Sequence, residues 1–313
     1  MATKDLMLPA TITGGRDDTL WHVVMNFLRG LLMGGADVIP GVSGGTVALV
    51  LGIYRRLLAS ISSAAGVVLA LAARRPDRAR AAWAAIEWSL VLPLAAGIGS
   101  AIVVGSQLIP PLRHAYPVEM RALFLGLVAG SVPVPVRAIG HIGGREIAVA
   151  ALAAIAAFLL VGLPPREVVS PSLGVVFLAA AVAICAMILP GISGAFLLES
   201  LGLYTPSLQA IRDRDLVYIA VFAAGAAIGI GLFARVLTWL LERHRDVTMA
   251  ALVGLMVGAL RALWPWLAED RGLLLPASAS DALVAIALAF VGIAAVTALI
   301  VAGSRADRYR TAG

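Results

Sequence analysis

Charged residues are scarce in this chain of 313 residues, where Asp, Glu, Lys and Arg together make up 13%. Soluble domains carry about 25%, and a hydrophobic share of 61% leaves too little polar surface to cover a soluble fold. A disordered chain or a coiled coil would need far more charge. These shortages exclude a soluble enzyme and indicate a polytopic membrane protein.

Residues that bind metals or form disulfides are equally rare. Cys185 is the only cysteine, which excludes intrachain disulfides and thiolate metal clusters. The histidines are scattered without the spacing of metal ligands: His22, His114, His141 and His244. We therefore expect neither a metal site nor a bound cofactor.

Acidic residues are fewer than basic ones, 18 against 24, and the formal net charge is +6. The basic residues, all Arg apart from Lys4, lie between apolar runs rather than along one face. They predict membrane orientation by the positive-inside rule and no nucleic-acid partner. Residues 1–18 lack the charged-then-apolar layout of a signal peptide, so we expect them to be retained.

Long apolar runs dominate the rest of the sequence. Five charge-free runs are long enough to cross about 30 Å of hydrocarbon as helices: 88–112, 147–165, 168–198, 216–234 and 282–304. Shorter runs suit tilted spans, re-entrant half-helices or interfacial helices: 38–54, 57–73, 122–136 and 247–260. The pattern predicts one all-α transmembrane domain over residues 1–313.

The chain also repeats itself. Residues 40–54 read PGVSGGTVALVLGIY, and residues 190–204, 150 positions later, read PGISGAFLLESLGLY. A second similarity, at a spacing of 128, pairs LFLGLVAGS at 123–131 with ALVGLMVGA at 251–259. These matches predict a duplication: a first repeat of about 20–163, an extra element at 57–80 within it, and a second repeat of about 172–304.

The number of crossings predicts that the repeats are inverted. If each Pro-Gly segment is a hairpin and 57–73 does not cross, three spans separate the halves: about 81–104, 121–136 and 145–163. With the C-terminal RADRYR in the cytoplasm, most of the 24 basic residues lie inside, as the positive-inside rule requires. Both termini are then cytoplasmic. Inverted repeats with broken helices are typical of secondary transporters.

Two Pro-Gly pairs should break helices within the membrane. Proline removes a backbone donor, and glycine accepts backbone conformations that other residues avoid. The pairs are Pro40-Gly41 and Pro190-Gly191. A broken helix is tolerated at this depth only inside protein or beside a wet cavity. We therefore predict two re-entrant helical hairpins.

Small and hydroxyl residues follow each break. The half-helix after the first break would present free N–H groups and its positive dipole end to an anion. The residues of this candidate phosphate cradle are Ser43, Gly44, Gly45 and Thr46. Ser193 and Gly194 offer a poorer copy, because Ala195 and Phe196 follow them. The alternative is that these glycines and serines only allow close helix packing.

Isolated charges in apolar stretches are further candidates, since such charges are usually functional. Asp37, beside the first break, is the better candidate for carrying a proton or pairing with a coupling cation. Glu199 could do the same or lie in a polar vestibule. Three arginines could neutralise a phosphate or instead meet lipid headgroups: Arg29, Arg121 and Arg261.

Three segments resemble the signature segments of the bacterial polyprenyl-phosphate transporter family: GGADVIPGVSGGTVALVLGIY, LPGISGAFLLESLGLY and GLMVGALRALWPW. The resemblance extends over essentially the whole chain. It implies that the protein lies among the lipids of the bacterial cytoplasmic membrane. There it would translocate undecaprenyl phosphate from the outer to the inner leaflet for envelope synthesis. The motif residues that carry over are Asp37, Pro40, Gly41, Ser43, Gly44, Gly45, Thr46, Pro190, Gly191, Ser193, Gly194 and Arg261. Glu199 stands where the resemblance implies an apolar residue.

Two rival functions stay open. PGVSGGT loosely resembles the PGxSRSGxT loop of undecaprenyl-pyrophosphate phosphatases, but Gly44 occupies the Arg position and no Glu-x-x-x-Glu pair is present. An intramembrane phosphatase would need such groups to stabilise charge or bind metal. The other rival is a channel or transporter for a small soluble anion. The sequence indicates neither the coupling ion nor the oligomeric state.

Overall fold

Helices form the framework of the chain. The computed structural model describes residues 16–38, 43–164, 168 and 170–311. In chain order the helices are α1 (Arg16–Asp37), α2 (Gly44–Val50), α3 (Tyr54–Ala72), α4 (Pro76–Ala84), α5 (Trp88–Ala115), α6 (Pro117–Ser131), α7 (Pro133–Arg137), α8 (Gly144–Val161), α9 (Leu173–Ile188), α10 (Gly194–Ser200), α11 (Tyr204–Arg212), α12 (Leu216–Arg243), α13 (Arg245–Ala259) and α14 (Ala279–Thr311). A 3₁₀ helix, Leu260–Leu263, follows α13 directly.

Seven helical segments within the described residues are long and apolar enough to cross a membrane: Tyr54–Ala72, Trp88–Ile109, Pro117–Arg137, Gly144–Val161, Leu216–Arg243, Arg245–Leu263 and Ala279–Val301. Many of their large apolar side chains face outwards; Leu152 and Leu232, for example, are 68% and 66% exposed. Exposed apolar surface of this extent, on helices of membrane-spanning length, is typical of a protein in contact with lipid. The chain is an all-α polytopic membrane protein, which confirms the predicted fold class.

Both Pro-Gly segments fall between helices. The apolar run at 168–198 does not form one continuous helix. α9 ends at Ile188, a turn follows at Pro190-Gly191, and α10 begins at Gly194. Gly191 has φ +91°, a conformation that side chains with a Cβ rarely adopt. In the first segment α1 ends at Asp37 and α2 begins at Gly44. Pro40 and Gly41 lie outside the described residues.

The extra element folds back on itself. Arg56, near the start of α3, pairs with Glu87, which directly precedes α5, with Nε 3.0 Å from the carboxylate. The Glu87 N–H also donates to Ser60 Oγ at 3.3 Å. α3 and α4 therefore return the chain to the level at which α3 began. The predicted span at 81–104 is wrong at its start, because Pro76–Ala84 forms a separate helix.

Corresponding helices of the two halves have matching lengths. α2 and α10 both contain 7 residues, α5 and α12 both contain 28, and α6 and α13 both contain 15. Their starting residues keep the two spacings found in the sequence. An internal duplication would produce this agreement, and the duplication with its inversion stays a prediction.

Glycines bring four helix pairs into close contact: α1 with α5, α9 with α12, α6 with α14, and α8 with α13. In each pair, a Cβ on the glycine would collide with a carbonyl oxygen of the neighbour: Gly30 with Leu94, Gly225 with Phe177, Gly126 with Ala289, and Gly254 with Ala150. Small residues drive helix association where lipid removes the hydrophobic driving force. Because α6 pairs with α14 and α8 with α13, the two halves exchange helices.

Candidate functional site

Ser43 joins the first helix break to the second. It is the N-cap of α2, and its hydroxyl accepts the N–H of Gly45 at 3.1 Å. The same hydroxyl lies 2.9 Å from the carbonyl oxygen of Met187 and 3.2 Å from that of Leu189, at the end of α9. Ser43 is 1% exposed. Its hydroxyl therefore forms hydrogen bonds at the start of α2 and at the end of α9.

Two further hydroxyls from the first half satisfy the second break. Thr46 Oγ1 accepts the N–H of Gly191 at 2.9 Å, and the Tyr54 hydroxyl donates to the carbonyl of Ile188 at 3.1 Å. A broken helix leaves such backbone groups without partners, which is expensive in a membrane. Ser43, Thr46 and Tyr54 together supply these partners. Tyr54 was not among the residues predicted from the sequence.

Close packing of α2 against the end of α9 requires a glycine at position 45. A Cβ at this position would collide with the carbonyl oxygen of Ile188, which is backbone and cannot rotate aside. For Gly45 the packing alternative therefore describes the structure. Gly194 is similarly crowded, since a Cβ there would meet the side chain of Met187 and the carbonyl of Ala183.

Asp37 occupies the place predicted for a phosphate. Its Oδ1 accepts the N–H of Gly44 at 2.7 Å, while Ser43 takes the N–H of Gly45. The expectation that this helix start presents free N–H groups is therefore wrong for this conformation. A phosphate could bind at Gly44 only after the Asp37 carboxylate has moved away.

The second segment is less polar. Ser193 is the N-cap of α10, is 5% exposed and makes no capping hydrogen bond to the described backbone of that helix. Phe196, at the position equivalent to Thr46, is 8% exposed. The second Pro-Gly segment is therefore less polar than the first, as its sequence indicates.

Arg261 lies beside the end of α8. Its Nη1 donates to the carbonyl of Phe158 at 3.2 Å, and its Nη2 to the carbonyl of Arg271 at 3.3 Å. The guanidinium also stands 4.5 Å from the centre of the Phe158 ring. Its Nε is buried and has no hydrogen-bond partner among the described residues. A cation here suits the carbonyl end of a helix, and its Nε is enclosed by protein in this conformation.

Arg271, which the sequence interpretation did not select, is a buried cation with several partners. Its Nη2 lies 3.0 Å from Glu199 Oε2, and its Nη1 donates to Ser200 Oγ at 2.7 Å and to the carbonyl of Leu163 at 2.9 Å. Its guanidinium stands 3.8 Å from the centre of the Phe196 ring. Arg271 is 8% exposed. Glu199 is therefore ion-paired with Arg271.

The remaining predicted arginines lie in two places. Arg121 Nη1 donates to the carbonyl of Pro265 at 3.4 Å, so Arg121 and Arg261 both reach the loop at 264–278. Arg29 Nη1 instead donates to Asn26 Oδ1 at 2.8 Å, on the early part of α1. Eight residues of helix, about 12 Å, separate Arg29 from Asp37. No group of three His, Cys, Asp or Glu residues in the described part of the chain could hold a metal ion.

We expect Arg271→Ala to destabilise the protein by about 3 kcal/mol, because Ser200 and the Leu163 carbonyl lose a charged partner. The thermal midpoint in detergent measures this effect. Arg214→Ala is the matched control, since Arg214 also has a positive φ (56° against 65°) but is exposed. Equal midpoints for the two variants would contradict a structural role for the Arg271 contacts.

Comparisons with known proteins agree on one family. The family model described as undecaprenyl phosphate translocase-like matches residues 33–280. A polyprenyl-phosphate transporter of Vibrio cholerae is 38% identical over 245 residues, covering 78% of this chain and 79% of the relative. A polyprenyl-phosphate transporter of Staphylococcus aureus is 30% identical over 260 residues, covering 78% of this chain and 87% of the relative. No solved structure gives a significant match.

Proposed function

Because the chain belongs to the undecaprenyl phosphate translocase-like family, we propose that it carries a polyprenyl phosphate across the bacterial cytoplasmic membrane. The direction is from the outer to the inner leaflet, which returns the carrier lipid for envelope synthesis. The observation that carries the proposal is the contact between the two broken helices, where Ser43 and Thr46 meet the backbone at Leu189 and Gly191. Broken helices of this kind form the substrate sites of secondary transporters.

The phosphate binds at the first break in this proposal. The donors are the backbone and hydroxyls of the cradle, after the internal hydrogen bonds that engage them in this conformation have opened: Ser43, Gly44, Gly45 and Thr46. Ser193 and Gly194 complete the far wall of the site. Arg261 and Arg121 attract the headgroup at the outer side, and Arg29 attracts it at the inner side, while the long tail stays in the bilayer. No nucleophile is required for this process.

Asp37 controls access to the cradle. An ionised Asp37 and a phosphate dianion repel each other and compete for the Gly44 N–H. Substrate binding therefore requires Asp37 to leave the Gly44 N–H, and protonation or a paired cation favours this movement by weakening the hydrogen bond. This competition couples phosphate binding to the charge state of one side chain.

Asp37→Asn should retain substrate binding and flatten the pH dependence of transport, because the amide cannot titrate and, as a neutral acceptor, gives up the Gly44 N–H to phosphate more readily than a carboxylate does. Transport rates in proteoliposomes across a pH series measure this. Glu199→Gln is the comparison, since Glu199 is the other acidic candidate. A flat profile for Glu199→Gln with an unchanged profile for Asp37→Asn would reverse the assignment.

Membrane orientation gives a separate prediction. In a Cys185→Ala background, Asp77→Cys should react with an impermeant thiol reagent only from the cytoplasmic side, because the predicted orientation, in which 57–73 does not cross, makes 74–80 the most basic inside segment. Arg212→Cys should react only from outside. Labelling of position 77 from outside would overturn the orientation and the cytoplasmic placement of both termini.

The decisive test of function is reconstitution into liposomes with a leaflet-specific assay for undecaprenyl phosphate. We expect the protein to move the lipid between leaflets without releasing inorganic phosphate. Phosphate release would instead favour the phosphatase alternative. Flux of a soluble anion with no movement of the lipid would favour the small-anion alternative.

A further inference from the structure

An apolar cavity of about 350 Å³ lies between α1, α2, α5, α6 and α14. Its lining includes Gly35, Val47, Phe124, Val128 and Leu299. Two hydroxyls also line it, and each is hydrogen-bonded within the protein: Thr46 to the N–H of Gly191, and Ser131 to the carbonyl of Val128. The cavity therefore offers apolar contact and little else.

The cavity adjoins the polar site. Ala36 lines it, and Asp37 is the next residue; Thr46 lines it from α2, two residues after Gly44. Water in this apolar space would lack the polar partners it needs. A ligand with a polar headgroup at the Asp37–Gly44 contact and an apolar chain in the cavity would match both the polar and the apolar part of the site.

We propose that this cavity binds the isoprenoid units nearest the phosphate of the polyprenyl phosphate, an inference that rests on the proposed function. In a polyprenyl phosphate the chain joins the phosphate directly, so head and first units can occupy adjoining sites. A glycerophospholipid places a glycerol between its phosphate and its two chains, so its apolar part begins further from the phosphate. The volume is at the lower end of the roughly 300–1,000 Å³ of ligand pockets, so the rest of the tail extends into the bilayer.

This arrangement makes the first isoprenoid units part of substrate recognition. Each methylene-sized group kept out of an apolar site lowers affinity by a factor of roughly four. Short prenyl phosphates should therefore gain affinity with each added unit until the cavity is full, and further units should add little.

Filling the cavity tests the proposal. A Cβ at Gly35 would meet nothing within 4 Å, so Gly35→Leu can extend into the space without a backbone collision. The matched control is Gly99→Leu, because Gly99 is also a helical glycine with nothing within 4 Å but lies exposed on α5. The detergent-solubilised variants are titrated with undecaprenyl phosphate, farnesyl phosphate and a dioleoyl phosphatidylglycerol.

We expect Gly35→Leu to weaken binding of both prenyl phosphates at least about tenfold, with Gly99→Leu unchanged. Wild-type affinity in Gly35→Leu, or an equal loss in both variants, would overturn the tail site while leaving the proposed function intact. A selective loss of phosphatidylglycerol binding would show that a bulk-lipid chain fills the cavity, which also overturns it. If the wild-type protein binds neither prenyl phosphate, the proposed function itself fails.

Discussion

Gly45→Ala is expected to reduce the initial rate of transport in proteoliposomes by at least about tenfold. The added Cβ collides with the carbonyl oxygen of Ile188, and neither group belongs to a side chain that could rotate away. Relief requires the two helix breaks to separate. Separation also lengthens the contacts of the Ser43 hydroxyl with the end of α9.

The control for this variant is Gly174→Ala. Gly174 lies in the first turn of α9, and a Cβ there would meet nothing within 4 Å. Both variants should insert and elute as the wild-type protein does, since overpacking at one site costs about 1–3 kcal/mol. A wild-type transport rate in correctly inserted Gly45→Ala would refute the idea that contact between the breaks is needed for function.

The fold class could be predicted because the composition leaves few alternatives. Apolar runs such as 216–234 and 282–304 lie within helices in the structure. Element boundaries were less predictable, because helices continue past charged residues at the membrane surface. α12 extends to Arg243, well beyond the end of its apolar run.

The partners of the motif residues could not be predicted. The sequence places Ser43 and Thr46 at a helix start, where an anion site is the natural hypothesis. Their partners lie more than 140 positions away, and no local pattern indicates that two helix breaks meet. The hydroxyls in fact complete the hydrogen bonding of the opposite break, and Asp37 serves as the anion.

Arg271 illustrates a second limit of sequence interpretation. It stands in the polar turn AEDRG, which reads as an exposed loop. Its burial depends on Glu199, Ser200 and Leu163, which come from distant parts of the chain. The unexpected Glu199 in the second segment was the available signal, because an acidic residue within an apolar stretch usually requires a cationic partner.

The second large effect is expected at Arg261, where Arg261→Ala should remove almost all transport and Arg261→Lys should retain part of it. The two Nη groups hold the carbonyls of Phe158 and Arg271, and the buried Nε has no partner among the described residues. In the proposed function, a phosphate replaces the two carbonyls, or takes the buried Nε after the side chain has shifted. Lysine keeps the positive charge but loses the planar, two-pronged geometry that matches phosphate.

Binding and stability measured together separate the two roles of Arg261. If its main role is to bind phosphate, purified Arg261→Ala should lose at least about tenfold in affinity for undecaprenyl phosphate, the loss of one charge-assisted hydrogen bond. If Arg261 serves only to hold the end of α8, the thermal midpoint should fall and the affinity of the folded fraction should stay unchanged. That second result, with Arg261→Lys no better than Arg261→Ala, would remove Arg261 from the set of proposed phosphate-binding residues and leave the cradle at Gly44, Arg121 and Arg29 as the candidates.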